Sequence, residues 1–390
     1  MKIVHIEDFF HPDAGYQINI LSKHMALLGH DVTIITGSTN RLPKFLKSYF
    51  DYTNMGVKDK RFTEDYNVKI KRLNVIGYYS GRAFLSMNLY KVIESINPDI
   101  IYAHGNDSLT AMRIFLKYRN KNKRIISDSH MLDIASSNKF RKIFYFMYRR
   151  IITPIIIKKK IKIIRTVDDT FVNTRLGIPL NQCPILSFGS DLSIFHQDID
   201  NRTIFRKNFG ISKDDFIVVY AGKLDNTKGG LLLANSFLDD FEINRKIVLV
   251  VIGNTFGDYG KEVEKLFAIS KNKIIRFPTQ KYIDLPIFFQ AADVVVFPKQ
   301  CSLTFFDAQA CGLPAILEQS SINDDRVSFG NGLCFIPESK ESLREKILYF
   351  AKLSEVDFEL FKKNAREFIE ENYDYMNVTK QYMDVIQSIE

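Results

Sequence analysis

Apolar runs alternate with segments of helical periodicity along most of the chain. Four runs are four to six residues long and rich in β-branched residues: Lys2–Ile6, Asp31–Thr36, Phe216–Tyr220 and Val294–Phe297. Such short continuous runs are typical of strands that are buried on both faces of a parallel sheet. Between them, segments such as 17–28 repeat apolar residues three and four positions apart, which predicts helices. The alternation as a whole predicts an α/β fold.

Two stretches of the first half fit this alternation less well. Residues 39–66 are polar and aromatic with weak periodicity, so we expect an irregular excursion there, with a short helix near Lys44–Tyr52. Residues 84–96 have helical spacing and end at Asn97-Pro98, which predicts a helix. At 390 residues the chain is long for one domain, and we expect two.

Composition narrows the class of protein. A hydrophobic fraction of 46% is sufficient for buried cores. The four cysteines are scattered without a C-x-x-C pair, which argues against a disulfide framework or a zinc site and fits a reducing cytosol. The first residues lead straight into a strand pattern, and no apolar run approaches the roughly 18–20 residues of a membrane span. We therefore expect neither a secretory signal nor a transmembrane helix.

The basic residues are unevenly distributed. Between residues 139 and 165 there are ten Lys or Arg and no Asp or Glu, in a chain with a net charge of +9. Apolar residues at helical spacing lie among these cations, and the candidate membrane or acceptor contacts are Lys139, Phe140, Arg141, Lys142, Phe144, Arg149 and Arg150. The segment predicts docking on an anionic membrane surface. Packing of the apolar stripe on the first domain is the alternative. Nucleic acid is not an expected partner, because no recognition motif supports it.

The stretch 293–317 combines a strand and a helix with candidate chemistry. Its strand stops at Pro298, a polar loop follows, and an apolar helix pattern from Leu303 to Cys311 contains a single acid, Asp307. A helix that begins after such a loop directs free N–H groups at it, which favours an anion. An ordinary crossover of an α/β domain would produce the same pattern.

This stretch resembles the donor-site signature of the retaining GT-B glycosyltransferases of the family 4 type, the glycosyl transferases of group 1. The pattern in that family is P-S-x-x-E-G-F-G-x-x-x-x-E-A-x-A-C-G-x-P. Residues Asp307–Pro314 match its second half, with Asp in place of the second Glu. The first half departs from it, because the chain is about three residues shorter between Pro298 and Asp307 and lacks the first Glu.

Other segments fit the same resemblance. Gly15 lies in a loop before a helix, like the glycine of the family's opening loop. Gly222, Lys223 and Lys228 match the family's G-R-L-x-x-x-K-G, with Lys in place of Arg at position 223. A plain turn glycine and a lysine-containing surface turn are the alternative interpretations of these positions.

The resemblance also implies the architecture. A segment like the family's N-G-V-D-x-x-x-F, at Gly189–Phe195, marks the end of the first domain. The expected fold is therefore GT-B, with two Rossmann-like, doubly wound domains facing a central cleft. Residues 1–192 would bind the acceptor and residues 193–375 the nucleotide sugar, while the C-terminal helix 376–390 would cross back to the first domain.

The residues that match the family's donor site take their roles from it. They are Gly15, Gly222, Lys223, Lys228, Ser302, Leu303, Thr304 and Asp307. The two lysines would neutralise the diphosphate as its bond to the sugar breaks. Asp307 would accept hydrogen bonds from the ribose hydroxyls, since one carboxylate can accept two.

Two histidines follow predicted parallel strands, at the edge where open α/β sheets bind ligands: His104 and His130. A lone histidine is more often structural. The resemblance favours His130, because a strand-end histidine in this place lies near the transferred sugar in the family. His130, Lys223 and Lys228 are therefore the expected catalytic residues.

The implied function is a retaining glycosyltransferase of hexosyltransferase type. It would move a sugar from a nucleotide-diphosphate sugar, expected to be UDP-linked, to a glycan or lipid-linked acceptor of cell-surface polysaccharide biosynthesis. We expect no cofactor and no metal, because lysines can supply the charge and no D-x-D pattern lies in a suitable loop. The expected location is the cytoplasmic face of the cytoplasmic membrane. A sugar-nucleotide epimerase of the same fold and a catalytically silent partner subunit are the alternatives.

Overall fold

A computed structural model describes residues 1–40, 42–43, 50–79, 82–130, 140–166, 169–299 and 301–389. The chain forms two compact units, one of Met1–Phe188 with Tyr375–Glu390 and the other of Gly189–Asp374. It therefore passes into the second unit after Phe188 and returns to the first after Asp374.

The first unit is built on a parallel sheet. Its strands are β1 (Lys2–Glu7), β2 (Asp31–Gly37), β3 (Val68–Leu73), β4 (Val75–Tyr79), β5 (Arg82–Leu85), β6 (Ile100–Ala103), β7 (Arg124–Ser129) and β8 (Lys162–Arg165). Its helices up to the crossing are α1 (Gln17–Leu27), α2 (Met55–Tyr66), α3 (Asn88–Ile96), α4 (Leu109–Tyr118), α5 (Arg141–Lys158) and α6 (Phe171–Thr174). Six strands pair in parallel in the order β3-β2-β1-β6-β7-β8, while β4 and β5 form an antiparallel hairpin.

The second unit repeats this plan. Its strands are β9 (Phe216–Ala221), β10 (Ile247–Ile252), β11 (Lys273–Phe277), β12 (Val294–Phe297), β13 (Ala315–Glu318) and β14 (Gly332–Phe335). Its helices are α7 (Ile199–Asn208), α8 (Gly230–Ser236), α9 (Gly257–Ala268), α10 (Pro286–Ala291), α11 (Thr304–Ala310), α12 (Ser321–Arg326), α13 (Lys340–Lys352) and α14 (Glu355–Asn372). The strands are parallel in the order β11-β10-β9-β12-β13-β14. The last helix, α15 (Tyr375–Gln387), belongs to the first unit and contacts α1.

In both sheets the order in which strands are added reverses at the centre. The reversal lies between β1 and β6 in the first sheet and between β9 and β12 in the second. Every residue of β6, β9 and β12 is buried, as expected for strands covered on both faces. The loops that leave the carboxyl ends of the two central strands diverge to opposite sides of the sheet, which opens a crevice there. The predicted α/β class with two Rossmann-like units is confirmed.

The structure differs from the sequence expectation in residues 55–66 and 84–96, while most of the helix expected near Lys44–Tyr52 lies outside the described residues. Helix α2 occupies 55–66, and its periodicity is weak because only Met55 and Phe62 are buried. The second segment starts as strand β5, in which Ala83 and Leu85 point into the core, and becomes helix α3 only at Asn88. Alternation over four residues was too short to separate a strand from the first turn of a helix.

The ends of β9 and β10 approach each other at two glycines. Gly253 has a φ of +143°, and a Cβ built on it would lie 1.8 Å from the carbonyl oxygen of Gly222. No side chain fits in that space, because the obstructing atom belongs to the backbone. The close approach fixes the position of Gly222 at the start of the loop after β9.

We therefore expect Gly253→Ala to lower the free energy of unfolding by about 3 kcal/mol or more, from backbone strain plus overpacking. Gly257→Ala is the matched control, since Gly257 also has a positive φ, +63°, but nothing lies within 4 Å of its added Cβ. That variant should lose only about 1–2 kcal/mol. Urea unfolding of both variants measures the difference, and equal losses would show that the glycine contact is not tight.

Candidate active site

The loops after β9 and β12 meet at the switch point of the second sheet. The hydroxyls of Ser302 and Thr304 both donate hydrogen bonds to the carbonyl oxygen of Ala221, over 3.4 and 3.1 Å. The two hydroxyl oxygens are 2.6 Å apart. Helix α11 begins at Thr304, directly after the half-buried Leu303. The first turn of α11 is thereby fixed against the end of β9.

Lys228 reaches the same loop from the segment that follows β9. The carboxylate of Asp225 accepts a hydrogen bond from the backbone N–H of Lys228 over 3.1 Å, in a 3-10 turn. Gly229 follows with φ +73°, and a Cβ there would lie 3.0 Å from atoms of Pro298 and Lys299. Nζ of Lys228 donates to the carbonyl oxygen of Cys301 over 3.4 Å. The turn therefore holds the ammonium group over the loop after β12.

Two further cations act on Lys228. Burial lowers the pKa of Lys228, and the positive charges of Lys223 and Arg326 act in the same direction. Lys223 is exposed, while Arg326, at the end of α12, donates to Asn323 and has its guanidinium 5.5 Å from the centre of the Phe305 ring. Sequence reasoning missed Arg326 because it lies outside every matched motif. Arg326 is near Lys228 only because the fold places the end of α12 beside this edge of the sheet.

Asp307 lies on α11 and is 3% exposed. Its Oδ1 accepts hydrogen bonds from the hydroxyl of Ser190, over 2.8 Å, and from the hydroxyl of Tyr282, over 3.1 Å. Burial raises its pKa to about 7, although these two hydrogen bonds oppose the rise. The predicted ribose contact is therefore a buried carboxyl that is anchored by two protein hydroxyls. Sequence reasoning did not assign Ser190 or Tyr282 as partners of Asp307, because both are distant from it along the chain.

The carboxyl edge of the first sheet carries a second polar group. His104 follows β6 and His130 follows β7, and the structure brings both to one carboxylate, Asp128. Oδ2 of Asp128 lies 2.8 Å from Nδ1 of His104, and Oδ1 lies 3.4 Å from Nε2 of His130. Gly15 is half-buried in the loop between β1 and α1. Sequence reasoning missed Asp128, although residues 128 and 130 of one strand end must point to the same face.

Asp8 is a further buried acid at this edge, directly after β1. Its carboxylate accepts hydrogen bonds from the hydroxyl of Thr110, over 2.8 Å, and from the N–H of Ala83, over 3.2 Å. Burial, together with the charge of Glu7, raises its pKa to about 6. The first edge is therefore rich in carboxylates and imidazoles, in contrast to the cations of the second.

The basic segment forms helix α5, and its apolar side chains divide between two faces. Phe144 packs against the core of the first unit, and Tyr148 is buried within it. Phe140, Ile143 and Phe146 are instead 71%, 64% and 58% exposed. Arg141, Lys142, Arg149 and Arg150 are exposed as well, while Lys139 lies outside the described residues. The outer face of α5 is therefore both apolar and basic.

In the part of the chain that the structure describes, we find no group of three or more His, Cys, Asp or Glu side chains arranged to hold a metal ion. In the same residues, no helix has the combination of length and apolar character needed to cross a bilayer.

Two family models match the chain. The model described as glycosyl transferases group 1 matches residues 201–371, and the one described as glycosyl transferase 4-like matches residues 16–157. Among curated relatives, spore coat protein SA of Bacillus subtilis is 26% identical over 216 residues, which cover 51% of this chain and 57% of that protein. The chain thus spans about half the length of the curated relatives it matches.

Solved structures resemble the whole chain. A glycosyltransferase from Rickettsia africae has a TM-score of 0.75 at 15% identity and covers 100% of this chain and 98% of its own. The Anabaena protein HepE, solved in complex with UDP and glucose, has a TM-score of 0.73 at 15% identity and covers both chains completely. At this level of identity the likeness establishes the fold alone.

If Asp307 accepts hydrogen bonds from a ribose, as the sequence predicts, its raised pKa makes nucleotide binding dependent on pH. Below about 7 the carboxyl is protonated and offers fewer acceptors to ribose hydroxyls, so affinity should rise with pH as it ionises. We expect the affinity for UDP-glucose, whose phosphates do not titrate in this range, to increase on the order of fivefold between pH of about 6 and about 8. Calorimetry on the wild type and Asp307→Asn measures this. A flat wild-type profile, or an equal rise in the variant, would contradict the assignment.

Proposed function

The chain belongs to the group 1 glycosyltransferases of the GT-B fold, and on this premise we propose that it transfers a sugar from a nucleotide-diphosphate sugar to an acceptor with retention of configuration. The second domain would bind the donor and the first domain the acceptor. The proposed donor carries a hexose.

The observation that carries the proposal is the group of cations at the switch point of the second sheet. Lys228 is held over the loop after β12, and the charges of Lys223 and Arg326 act on it. A leaving nucleoside diphosphate develops negative charge that such cations stabilise. Since the cations neutralise the diphosphate, no metal ion is required in this proposal.

The nucleotide is proposed to be UDP. Support comes from the Anabaena protein HepE, which was solved in complex with UDP and glucose. Asp307 would accept hydrogen bonds from the ribose, and its shorter side chain, compared with Glu, requires the donor to approach α11 closely. Gly222 would allow that approach, because it carries no side chain at the end of β9.

The chemical step is proposed to take place on one face of the sugar. The family's first Glu is absent between Pro298 and Asp307, so the chain lacks that candidate for a covalent nucleophile. The bond between the sugar C1 and the phosphate oxygen breaks as the acceptor oxygen bonds to C1. The acceptor proton passes to the leaving phosphate oxygen. His130 would lie near the transferred sugar and act on it from the first domain.

The acceptor is proposed to be lipid-linked, with the protein docked on the inner face of the cytoplasmic membrane and acting in cell-surface glycan synthesis. Helix α5 supports docking, because Phe140, Ile143 and Phe146 expose apolar area that is not used in the core. Four exposed cations accompany them on the helix: Arg141, Lys142, Arg149 and Arg150. Aromatic side chains insert at the headgroup level, and each cation contributes about 1 kcal/mol near an anionic surface. Phe144 has no part in this surface, since it packs inward.

Product analysis with a panel of nucleotide sugars and lipid-linked acceptors tests the function. Transfer to an acceptor with an unchanged anomeric configuration is the expected result. A converted nucleotide sugar in the absence of acceptor would show a sugar-nucleotide epimerase instead. Donor binding without turnover across the panel would show a catalytically silent partner subunit.

Lys228→Ala should reduce kcat by about two orders of magnitude or more, because loss of one charge-stabilising contact costs about 2.7–4 kcal/mol in the transition state. Lys261→Ala is the matched control, since Lys261 is an 81% exposed lysine of the same domain. Both variants should unfold at wild-type urea concentrations. Near-normal turnover of Lys228→Ala would show that its turn is only structural.

Removal of four cations from α5 should abolish most binding to anionic vesicles. The test variant carries Ser at Arg141, Lys142, Arg149 and Arg150. The control loses the same charge elsewhere in the first domain, with Ser at the exposed Lys60, Arg61, Lys69 and Lys121. Co-sedimentation with phosphatidylglycerol vesicles should show wild-type binding that weakens with salt, near-normal binding by the control, and little by the test variant. Equal binding by both variants would refute a docking surface on α5.

A further inference from the structure

Three imidazoles and one carboxylate form a continuous hydrogen-bonded line at the carboxyl edge of the first sheet. Nδ1 of His5 lies 2.9 Å from Nε2 of His104, and Nδ1 of His104 lies 2.8 Å from Oδ2 of Asp128. On the other side, Nε2 of His130 lies 3.4 Å from Oδ1 of Asp128. The line continues to Thr166, whose hydroxyl oxygen is 3.1 Å from Nδ1 of His130.

The inner half of this line is buried around the carboxylate of Asp128. Asp128 is 0% exposed and also accepts a hydrogen bond from the N–H of Gly105 over 2.7 Å. Burial acts to raise the pKa of Asp128, but His104 and His130 hold it well below its usual range. His104 directs Nδ1 at this carboxylate and Nε2 at Nδ1 of His5. Burial and the neighbouring His104 lower the pKa of His5, which therefore stays neutral.

The outer half has an acceptor for each N–H of a doubly protonated His130. Nε2–H points to Oδ1 of Asp128, and Nδ1–H points to the hydroxyl oxygen of Thr166. The Thr166 hydroxyl in turn donates to the carbonyl oxygen of Ser129 over 3.4 Å. The ring also stacks on Phe188, with centroids 5.6 Å apart, and its side chain is 42% exposed. Because both ring nitrogens have protein acceptors, the part of the charged ring that faces solvent is its C–H edge.

We propose that Asp128 is a positioning residue, which orients His130 and keeps it as a fixed imidazolium at the ligand-binding edge of the first sheet. His130 then acts on a ligand bound at this edge by its charge, and it does not exchange a proton with that ligand. This deepens the proposed function, on which it depends for the identity of the ligand. The His130–Asp128–Thr166 geometry itself does not depend on that function.

Other charged groups that face His130 have opposing effects. Glu7, at the end of β1, favours the imidazolium, and Arg82, on β5, disfavours it. Although burial acts to lower the pKa of His130, the charge and hydrogen bond of Asp128 raise it above the ordinary value. A histidine with a raised pKa is charged at lower pH and loses its charge as pH rises through that pKa. His130 therefore loses the positive charge that the proposal requires as the pH rises above its pKa.

Histidine-labelled full-length protein tests the proposal by NMR titration. The protein contains seven histidines, and His130→Gln assigns the His130 Cε1–H signal. The wild-type midpoint should lie above about 6.5. Asp128→Asn should lower it by at least about one pH unit, because it removes the adjacent charge. Thr166→Val, which removes the acceptor of Nδ1–H with little change in shape, should lower it by a smaller amount.

Glu7→Gln is the control for a general change in charge and should shift the midpoint less than Asp128→Asn. An unshifted His130 midpoint in a folded Asp128→Asn protein would overturn the proposal and leave Asp128 a structural residue. If Asp128→Asn does not fold, an unshifted midpoint in Thr166→Val overturns it. The titration requires no substrate. A normal titration without any transferase activity would therefore refute the proposed function and leave the Asp128–His130 pair intact.

Discussion

The structure depends on the burial of parallel strands on both faces. The central strands of each sheet have no solvated side, and their charged side chains lie at the strand ends. The edge strands β3 and β11 are partly exposed and carry Lys69, Lys71 and Arg276 along their length. The reversal of strand order at β1/β6 and β9/β12 then leaves one crevice at the carboxyl end of each sheet. Gly222 and Gly253 show how tightly the strand ends are packed, since even a methyl group does not fit between them. The chemistry of the protein is concentrated at these two edges for that reason.

The two edges carry different charges. At the second sheet, Lys228 and Arg326 converge on the loop that precedes α11, where an anion gains from both cations. At the first sheet, Asp8 and Asp128 lie among imidazoles and backbone donors. Arg82 also faces these carboxylates, and this mixture of donors and acceptors can hydrogen-bond the hydroxyls of a neutral polyol. This difference supports assignment of the nucleotide to the second domain and of the acceptor to the first.

Two carboxylates show how burial changes the role of a side chain. Asp307 accepts hydrogen bonds from two hydroxyls, and burial together with the charge of Asp191 raises its pKa to about 7. Asp128 is at least as buried, but two imidazoles hold its pKa low. An aspartate therefore has a pKa of about 7 at one edge, while another stays ionised at the other edge. Neighbours, and not burial alone, decide between these states.

The sequence by itself determined the α/β class, the two-unit organisation, most strands and the family. These features are encoded by short buried runs and by local motifs, such as Gly222–Lys228 and Asp307–Pro314, that are read along the chain. Helix α2 and the β4–β5 hairpin were not predicted, because their apolar signals are too weak or too short. The partners Ser190, Arg326 and Asp128 were decided only by the tertiary structure. They act through hydrogen bonds and charges between segments that are distant along the chain. The pattern of residues along the chain does not show which strand ends lie together in the fold.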